Sequence, residues 1–184
     1  MSGTYKTEGI ILKRRNFGEA DKILTIYSKH YGKIRAIAKG IRKLKSRKAG
    51  SLELFNHCKL VLAKGRNLDI ISEVQAMNAF REWRRNLTKV GVAYYFCELV
   101  DKLTPDGQAN KAVFEILKEF LGKISSSNLP ALVRSFEEHL LDELGFGVPF
   151  EWRKRQGSLK PYIESITEKE IHSPKILAKQ EKIG

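Results

Sequence analysis

Cysteine is scarce. Cys58 and Cys97 are the only two in 184 residues, 39 positions apart. Two cysteines build no disulfide framework, and without a CxxC pair there is no thiol signature of a zinc or redox centre. Long apolar runs are missing too: stretches such as Ile10 to Leu12 and Val92 to Tyr94 fall far short of the roughly 20 residues that a membrane helix needs. The N-terminal Met-Ser-Gly-Thr-Tyr-Lys carries no apolar signal core, so a cytoplasmic protein without a membrane partner is expected. Internal repeats and low-complexity tracts are absent. Histidines 30, 57, 139 and 172 stand alone, with no HExxH, Walker loop, GxGxxG or GxSxG. That pattern argues against an enzyme, and no cofactor is expected.

What is abundant is positive charge. Lys plus Arg number 34 against 21 Asp plus Glu, a net of +13, which points to a polyanionic partner. The charge is uneven. Residues 1–80 hold 17 basic and 6 acidic side chains, residues 81–145 hold 9 and 10, and residues 146–184 hold 8 and 5. The excess therefore lies in the first 80 residues, and a charge break of this kind suggests two modules with different partners.

Periodicity changes at the same place. Glu8 to Arg14, Lys22 to Ser28, Lys33 to Lys39, Cys58 to Lys64 and Leu68 to Val74 read as short strands, with turns at Tyr31-Gly32 and Gly65-Arg66-Asn67. In the third, Ile34, Ala36 and Ala38 face one way and Arg35, Ile37 and Lys39 the other. Five short strands suit a small closed barrel such as an OB-fold, with a small open sandwich as the alternative. After Ala79 the spacing becomes helical. Val90, Ala93, Tyr94, Cys97 and Val100 form one stripe, and Val113 to Ile124 a second. Leu132 to Leu144 form a third, with breaks at Thr104–Gly107, at Ser125–Asn128 and from Gly145 to Pro149. Short irregular structure and a frayed end are expected from Pro149 onward. The fold class is α+β: residues 1–80 as an OB-fold nucleic-acid-binding domain, residues 81–184 as a helical domain.

The densest charge runs from Lys33 through Arg35, Lys39, Arg42, Lys43, Lys45, Arg47 and Lys48 with no acidic residue between them. Gly40 to Gly50 reads as a flexible loop beside a basic strand face, an arrangement that tracks phosphates by charge without reading bases. Lys13, Arg14 and Arg15 extend the path. The alternative is a solvated charge run. Phe17, Tyr27, Tyr31 and Phe55 are interleaved, and exposed rings there would stack unpaired bases. Tyr31, beside its glycine turn, is the stacking candidate, while Phe17 and Phe55 lean to the core. Tryptophans 83 and 152 belong with the helices. Glu8, Glu19, Asp21 and Glu53 are the carboxylates a metal-dependent nuclease would need. The Gly18-to-Asp21 segment reads instead as a turn whose carboxylates bond backbone amides or an arginine. Glu138 and Asp142, at i, i+4, read as a solvated acidic face rather than a metal site. An RNA-binding module is the other alternative, since charge does not separate RNA from DNA.

Lys6-Thr7-Glu8-Gly9-Ile10-Ile11-Leu12-Lys13-Arg14-Arg15, then Gly18-Glu19-Ala20-Asp21-Lys22-Ile23-Leu24-Thr25, then Gly32-Lys33-Ile34-Arg35-Ala36-Ile37-Ala38-Lys39-Gly40-Ile41-Arg42 resemble the bacterial recombination mediator family RecO. Tyr94 to Pro105 and Leu140-Leu141-Asp142-Glu143-Leu144-Gly145-Phe146 continue the likeness, which covers about residues 4–150. The resemblance implies an N-terminal OB-fold and a C-terminal helical domain. It implies a role in DNA repair: binding single- and double-stranded DNA, annealing complementary strands, and loading RecA indirectly with RecR on DNA coated by the single-strand-binding protein SSB. It also implies a contact with the acidic SSB tail. Arg81, Arg84, Arg85, Lys102 and Arg134 are the bases available for that tail, with Arg134 the chosen contact. One departure matters. Many members carry a four-cysteine zinc module, but Phe150 to Tyr162 has no cysteine, so zinc is not carried over and a degenerate remnant with a short tail is expected.

Overall fold

The computed structural model describes residues 3–125 and 128–173. The expected frayed end beyond Ser173 and two serines of the Ser125–Asn128 break lie outside them. Five strands, β1 (Thr4–Phe17), β2 (Asp21–Ser28), β3 (Gly32–Ala38), β4 (His57–Ala63) and β5 (Asp69–Asn78), close into a barrel in the order β1-β2-β3-β5-β4. The barrel was the expectation, but β1 is twice as long as the apolar run suggested, because its outer half is charged. Its first half pairs with β4 from Thr4↔Ala63 to Ile10↔His57, and its second half with β2 from Gly9↔Ser28 to Phe17↔Asp21. One strand thus pairs with two different neighbours and helps close the barrel. At the crossing stands Gly9, where an added Cβ would lie 2.5 Å from Ile26.

A bulge between Ile11 and Lys13 breaks the β1–β2 register. Ile11 belongs to the barrel core with Leu24, Ile26, Ala36, Ala38, Leu60, Leu62 and Ile71. The inserted residue reverses the alternation beyond it, so that Lys13, Arg15 and Phe17 point outward. The backbone of Ile11 at the bulge is satisfied by the end of the β3–β4 loop: Phe55 N donates to Ile11 O at 2.9 Å and Ile11 N to Asn56 O at 3.2 Å. Phe55 is buried, as its lean to the core required, in a left-handed conformation at φ 71.

The chain forms two compact units, residues 1–79 with 104–114, and residues 80–103 with 115–184. The return of 104–114 to the barrel unit has no signature in composition. Gly107 N donates to Lys33 O at 2.9 Å. Gly32, at φ +65, makes the approach possible, since a Cβ there would stand 2.1 Å from Gln108 O.

The second unit rests on three helices, α1 (Leu87–Leu103), α2 (Lys111–Lys123, whose first turn lies in the barrel unit) and α3 (Leu129–Glu143). Asparagines start all three: Asn86, Asn110 and Asn128 Oδ1 accept from Lys89, Val113 and Ala131 N at 3.0, 3.1 and 3.2 Å. Phe96, Phe120 and Phe136, one from each helix, meet with centroids 4.0 to 6.2 Å apart. Trp83 is buried with its indole donating to Leu121 O at 2.9 Å. On α1 the observed core is wider than the expected stripe: Tyr95, Phe96 and Leu99 are buried and Tyr94 is exposed. A helix covered on most sides leaves no single apolar arc for periodicity to find. Beyond Pro149 the structure is more regular than expected, with α4 (Phe150–Arg153) and α5 (Lys160–Thr167).

These two short helices are tied to α3 by polar side chains. Glu137, fully buried, accepts from Tyr95 Oη at 2.6 Å, Leu159 N at 2.7 Å and the Ser158 hydroxyl. Burial raises its carboxyl above the usual range, outweighing the hydrogen bonds that favour the anion. Arg134 works beside it, donating to Glu138 Oε1 at 2.7 Å, Trp152 O at 2.9 Å and Gly157 O at 3.1 Å. Glu137→Ala strands the Tyr95 and Leu159 donors and should cost about 2–4 kcal/mol in urea denaturation followed by helical circular dichroism. A raised folded-state pKa stabilises most below the unfolded value near 4.5 and loses that contribution as pH rises through the folded value. Glu137→Gln should therefore flatten the pH dependence of stability above about pH 4.5.

Candidate nucleic-acid interface

The sheet register arranges the cations of the barrel in rows. Lys13 pairs with Thr25 and Thr25 with Arg35, giving one outward row across β1, β2 and β3. Arg15, Ile23 and Ile37 form the next, and Phe17 with Asp21 ends the face. Lys39 follows at the end of β3, exposed.

The basic loop is not the loose segment its composition suggested. Ile41, Leu52, Ala49 and Leu54 anchor it to the barrel core. Its start is stapled to the β1–β2 turn: Gly40 N donates to Asp21 Oδ1 at 2.7 Å, and Arg42 donates from its backbone to Ala20 O at 2.9 Å and from its guanidinium to Gly18 O at 3.2 Å. Asp21 thus plays the turn-stabilising part read from the sequence. With the backbone held, Lys39, Arg42, Lys43, Lys45 and Arg47 stand exposed.

Other expected contacts have internal partners. Arg14 pairs with Glu53 at 2.8 Å and bonds Leu52 O at 3.2 Å. Lys48 Nζ reaches Ile71 O at 2.9 Å, and Lys33 Nζ, 9% exposed, reaches Thr104 O at 2.8 Å and Asp106 at 3.3 Å. Arg35 is exposed but paired with Asp106 at 2.6 Å, and its guanidinium holds that carboxyl below the usual carboxylate range. Tyr31 lies at the β2–β3 turn, the other end of the strands from the basic loop, about 20 Å away along β2. Its ring sits 4.5 Å from that of Tyr5. Phe17, which leaned to the core on sequence, is an exposed aromatic at the basic end; the signal that could have placed it there is its position next to the Gly18 turn.

The four N-terminal carboxylates do not converge. Glu8 Oε2 bonds His57 Nε2 at 2.9 Å, Asp21 holds Gly40, and Glu53 holds Arg14. Among the described residues no three His, Cys, Asp or Glu side chains gather as a metal site. Glu138 and Asp142 pair separately with Arg134 and, at 3.7 Å, with Arg153. Burial pushes the Cys58 thiol up to about 12 and the Cys97 thiol upward as well, so both stay protonated. The stretch from Phe150 to Tyr162 offers neither thiol nor imidazole, so a zinc module does not fit it. Among the described residues no helix is long and apolar enough to cross a membrane.

Residues 1–80 match the model for the N-terminal part of recombination protein O, and residues 84–179 match that for its C-terminal part. The chain belongs to the RecO family. DNA repair protein RecO of Roseiflexus sp. (strain RS-1) is 44% identical over 146 residues, 77% of this chain and 50% of the relative. Those of Pelotomaculum thermopropionicum and Symbiobacterium thermophilum are 38% and 39% identical over 77% of this chain, covering 56% and 57% of their own lengths. The chain spans about half the length of the curated relatives it matches. The family models and these relatives carry the names of recombination and DNA repair proteins.

Asp106 is an anion on the cationic face, occupying Arg35 as a phosphate would. Asp106→Asn should strengthen binding of a labelled oligonucleotide at low salt by roughly two- to fivefold, the scale of an exposed ion pair, with the gain vanishing at high salt. Fluorescence anisotropy across a salt series measures it.

Proposed function

We propose that the chain is a non-enzymatic DNA-binding and strand-annealing protein that acts in the cytoplasm as a recombination mediator. The observation that carries this reading is the cationic face of the barrel, where Lys13, Arg15 and Arg35 from the sheet adjoin Lys39, Arg42, Lys43, Lys45 and Arg47 from the fastened loop. Annealing needs no active site. Cations that neutralise phosphates on two strands lower their mutual repulsion, and base pairing supplies the specificity. Both single- and double-stranded DNA are substrates on this reading, because phosphates are common to both.

The partners proposed for the chain are RecR, the SSB tail and, through them, RecA. For the acidic SSB tail the helical unit offers exposed Arg81 and Arg85 near the exposed side chain of Leu87. Arg134 and Lys102 serve the unit internally, Lys102 through Glu98 at 2.8 Å and the Glu170 carbonyl. The tail contact is accordingly proposed for the Arg81–Arg85 side.

The test is binding of labelled single-stranded DNA, duplex and RNA across a salt series, with annealing of complementary strands followed in the same buffer. Single-stranded DNA should bind with a log–log slope of about −0.7 per phosphate contacted, and annealing should accelerate. Charge reversal at Arg42, Lys43 and Lys45 should flatten the slope by about 2 and slow annealing. A clear preference for structured RNA would favour the RNA-binding reading, and absence of DNA binding at low salt would overturn the proposal. Charge reversal at Arg81 and Arg85 should abolish binding of a labelled acidic SSB-tail peptide. Unchanged peptide binding would remove that partner surface.

A further inference from the structure

Two large apolar side chains stand in solvent among the cations of the barrel. Leu44 is 106% exposed, between Lys43 and Lys45. Phe17 is 47% exposed and ends the face that carries Lys13 and Arg15. Their segments are joined, since the three hydrogen bonds from Gly40 and Arg42 fasten the start of the loop to residues 18–21. Leu44 is also held out rather than left loose. Ser46 N donates to Lys43 O at 2.9 Å, closing a turn with Leu44 and Lys45 at its corners, while neighbouring Ile41 is buried in the core. Turn corners normally take glycine, proline, asparagine, aspartate or serine, so a leucine there does nothing for the turn itself.

We propose that Phe17 and Leu44 are the base-contacting points of this interface, meeting the faces of unpaired bases in single-stranded DNA while the flanking cations hold its phosphates. The inference rests on the DNA-binding reading and deepens it. Charge complementarity selects the occupant: Arg15, Lys39, Arg42, Lys43 and Lys45 around two apolar points match a polyanion that also exposes flat apolar surface. A single strand does so and a duplex does not, because its base faces are stacked inside. Phe17 offers a stacking ring, and Leu44 a side chain of the kind that wedges against or between bases. Neither residue reads sequence by hydrogen bonding, which suits a protein that handles any strand.

The test uses the full chain with Phe17→Ala, Leu44→Ala and the double variant, each checked by thermal melting against the parent; exposed positions leave the fold intact. Anisotropy with a single-stranded oligonucleotide should show roughly tenfold weaker binding for the double variant, with an unchanged salt slope and duplex binding within about twofold. An abasic strand of the same length should bind the parent as weakly as the normal strand binds the double variant. In Leu44→Trp, the added indole fluorescence should be quenched by the normal strand and not by the abasic one. Equal loss on single strand and duplex, no loss at all, or binding of the two apolar residues only to anionic vesicles overturns the base-contact proposal while leaving phosphate binding intact. If the parent binds no DNA at low salt, the DNA-binding reading itself fails, and the two failures are told apart.

Discussion

The interface depends on one inserted residue in β1. Up to Ile11 the odd-numbered side chains of that strand fill the barrel, and the register slip between Ile11 and Lys13 turns the odd-numbered side chains outward. Without it, Lys13 and Arg15 would point into an apolar core, where an unpaired charge is untenable. The bulge is held because its orphaned backbone groups find Phe55 and Asn56, the last residues of the basic loop. Asn56 in turn caps that loop from within, donating to Gly50 O at 3.1 Å and Ser51 O at 2.9 Å. The feature that aims the strand cations and the segment that supplies the loop cations are therefore one connected piece of backbone.

The helical unit solves a different problem by similar means. Its last two short helices bury only Tyr162 and Ile163 of their own residues, and their segment contains no cysteine. Arg134 and Glu137 on α3 hold them instead, by taking up the carbonyls of Trp152 and Gly157 and the amide of Leu159. Farther on, Glu98 accepts from the amides of His172 and Ser173, at 2.6 and 2.5 Å. Buried polar ties of this kind fix geometry more than they add net stability, since each charge is desolvated to make them. An arginine that looks from the sequence like an exposed handle for an acidic partner is for that reason an internal fastener.

The barrel was legible because alternation survives wherever one face is buried. Ile34, Ala36 and Ala38 against Arg35, Ile37 and Lys39 in β3 is a period-2 signal interrupted only by Ile37. Helices α2 and α3 were legible by stripe, α1 less so because most of its sides are covered, and asparagine caps would have set the starts of all three. What stayed hidden is what alternation does not encode. A bulge changes parity without changing composition. The return of residues 104–114 to the barrel unit depends on a glycine making room for a carbonyl far along the chain, which no local window contains. The division of the cations into structural and exposed ones is equally a tertiary fact, since Lys33 and Arg35 are chemically alike in sequence and sit on the same outward face of one strand.

That division changes what net charge means here. The 17 basic side chains of the first 80 residues set a long-range field that steers polyanions toward the barrel wherever each charge is placed. Short-range phosphate contact is narrower and belongs to cations whose ammonium or guanidinium has no stronger partner within the fold. Arg14, Lys33 and Lys48 are held by backbone carbonyls and carboxylates, so a strand would have to break those bonds to engage them. Arg15, Lys39, Lys43, Lys45 and Arg47 are exposed at one end of the barrel. On the proposed reading, charge steers from the whole module and grips at one end, where the sheet face, the stapled loop and the two exposed apolar side chains coincide.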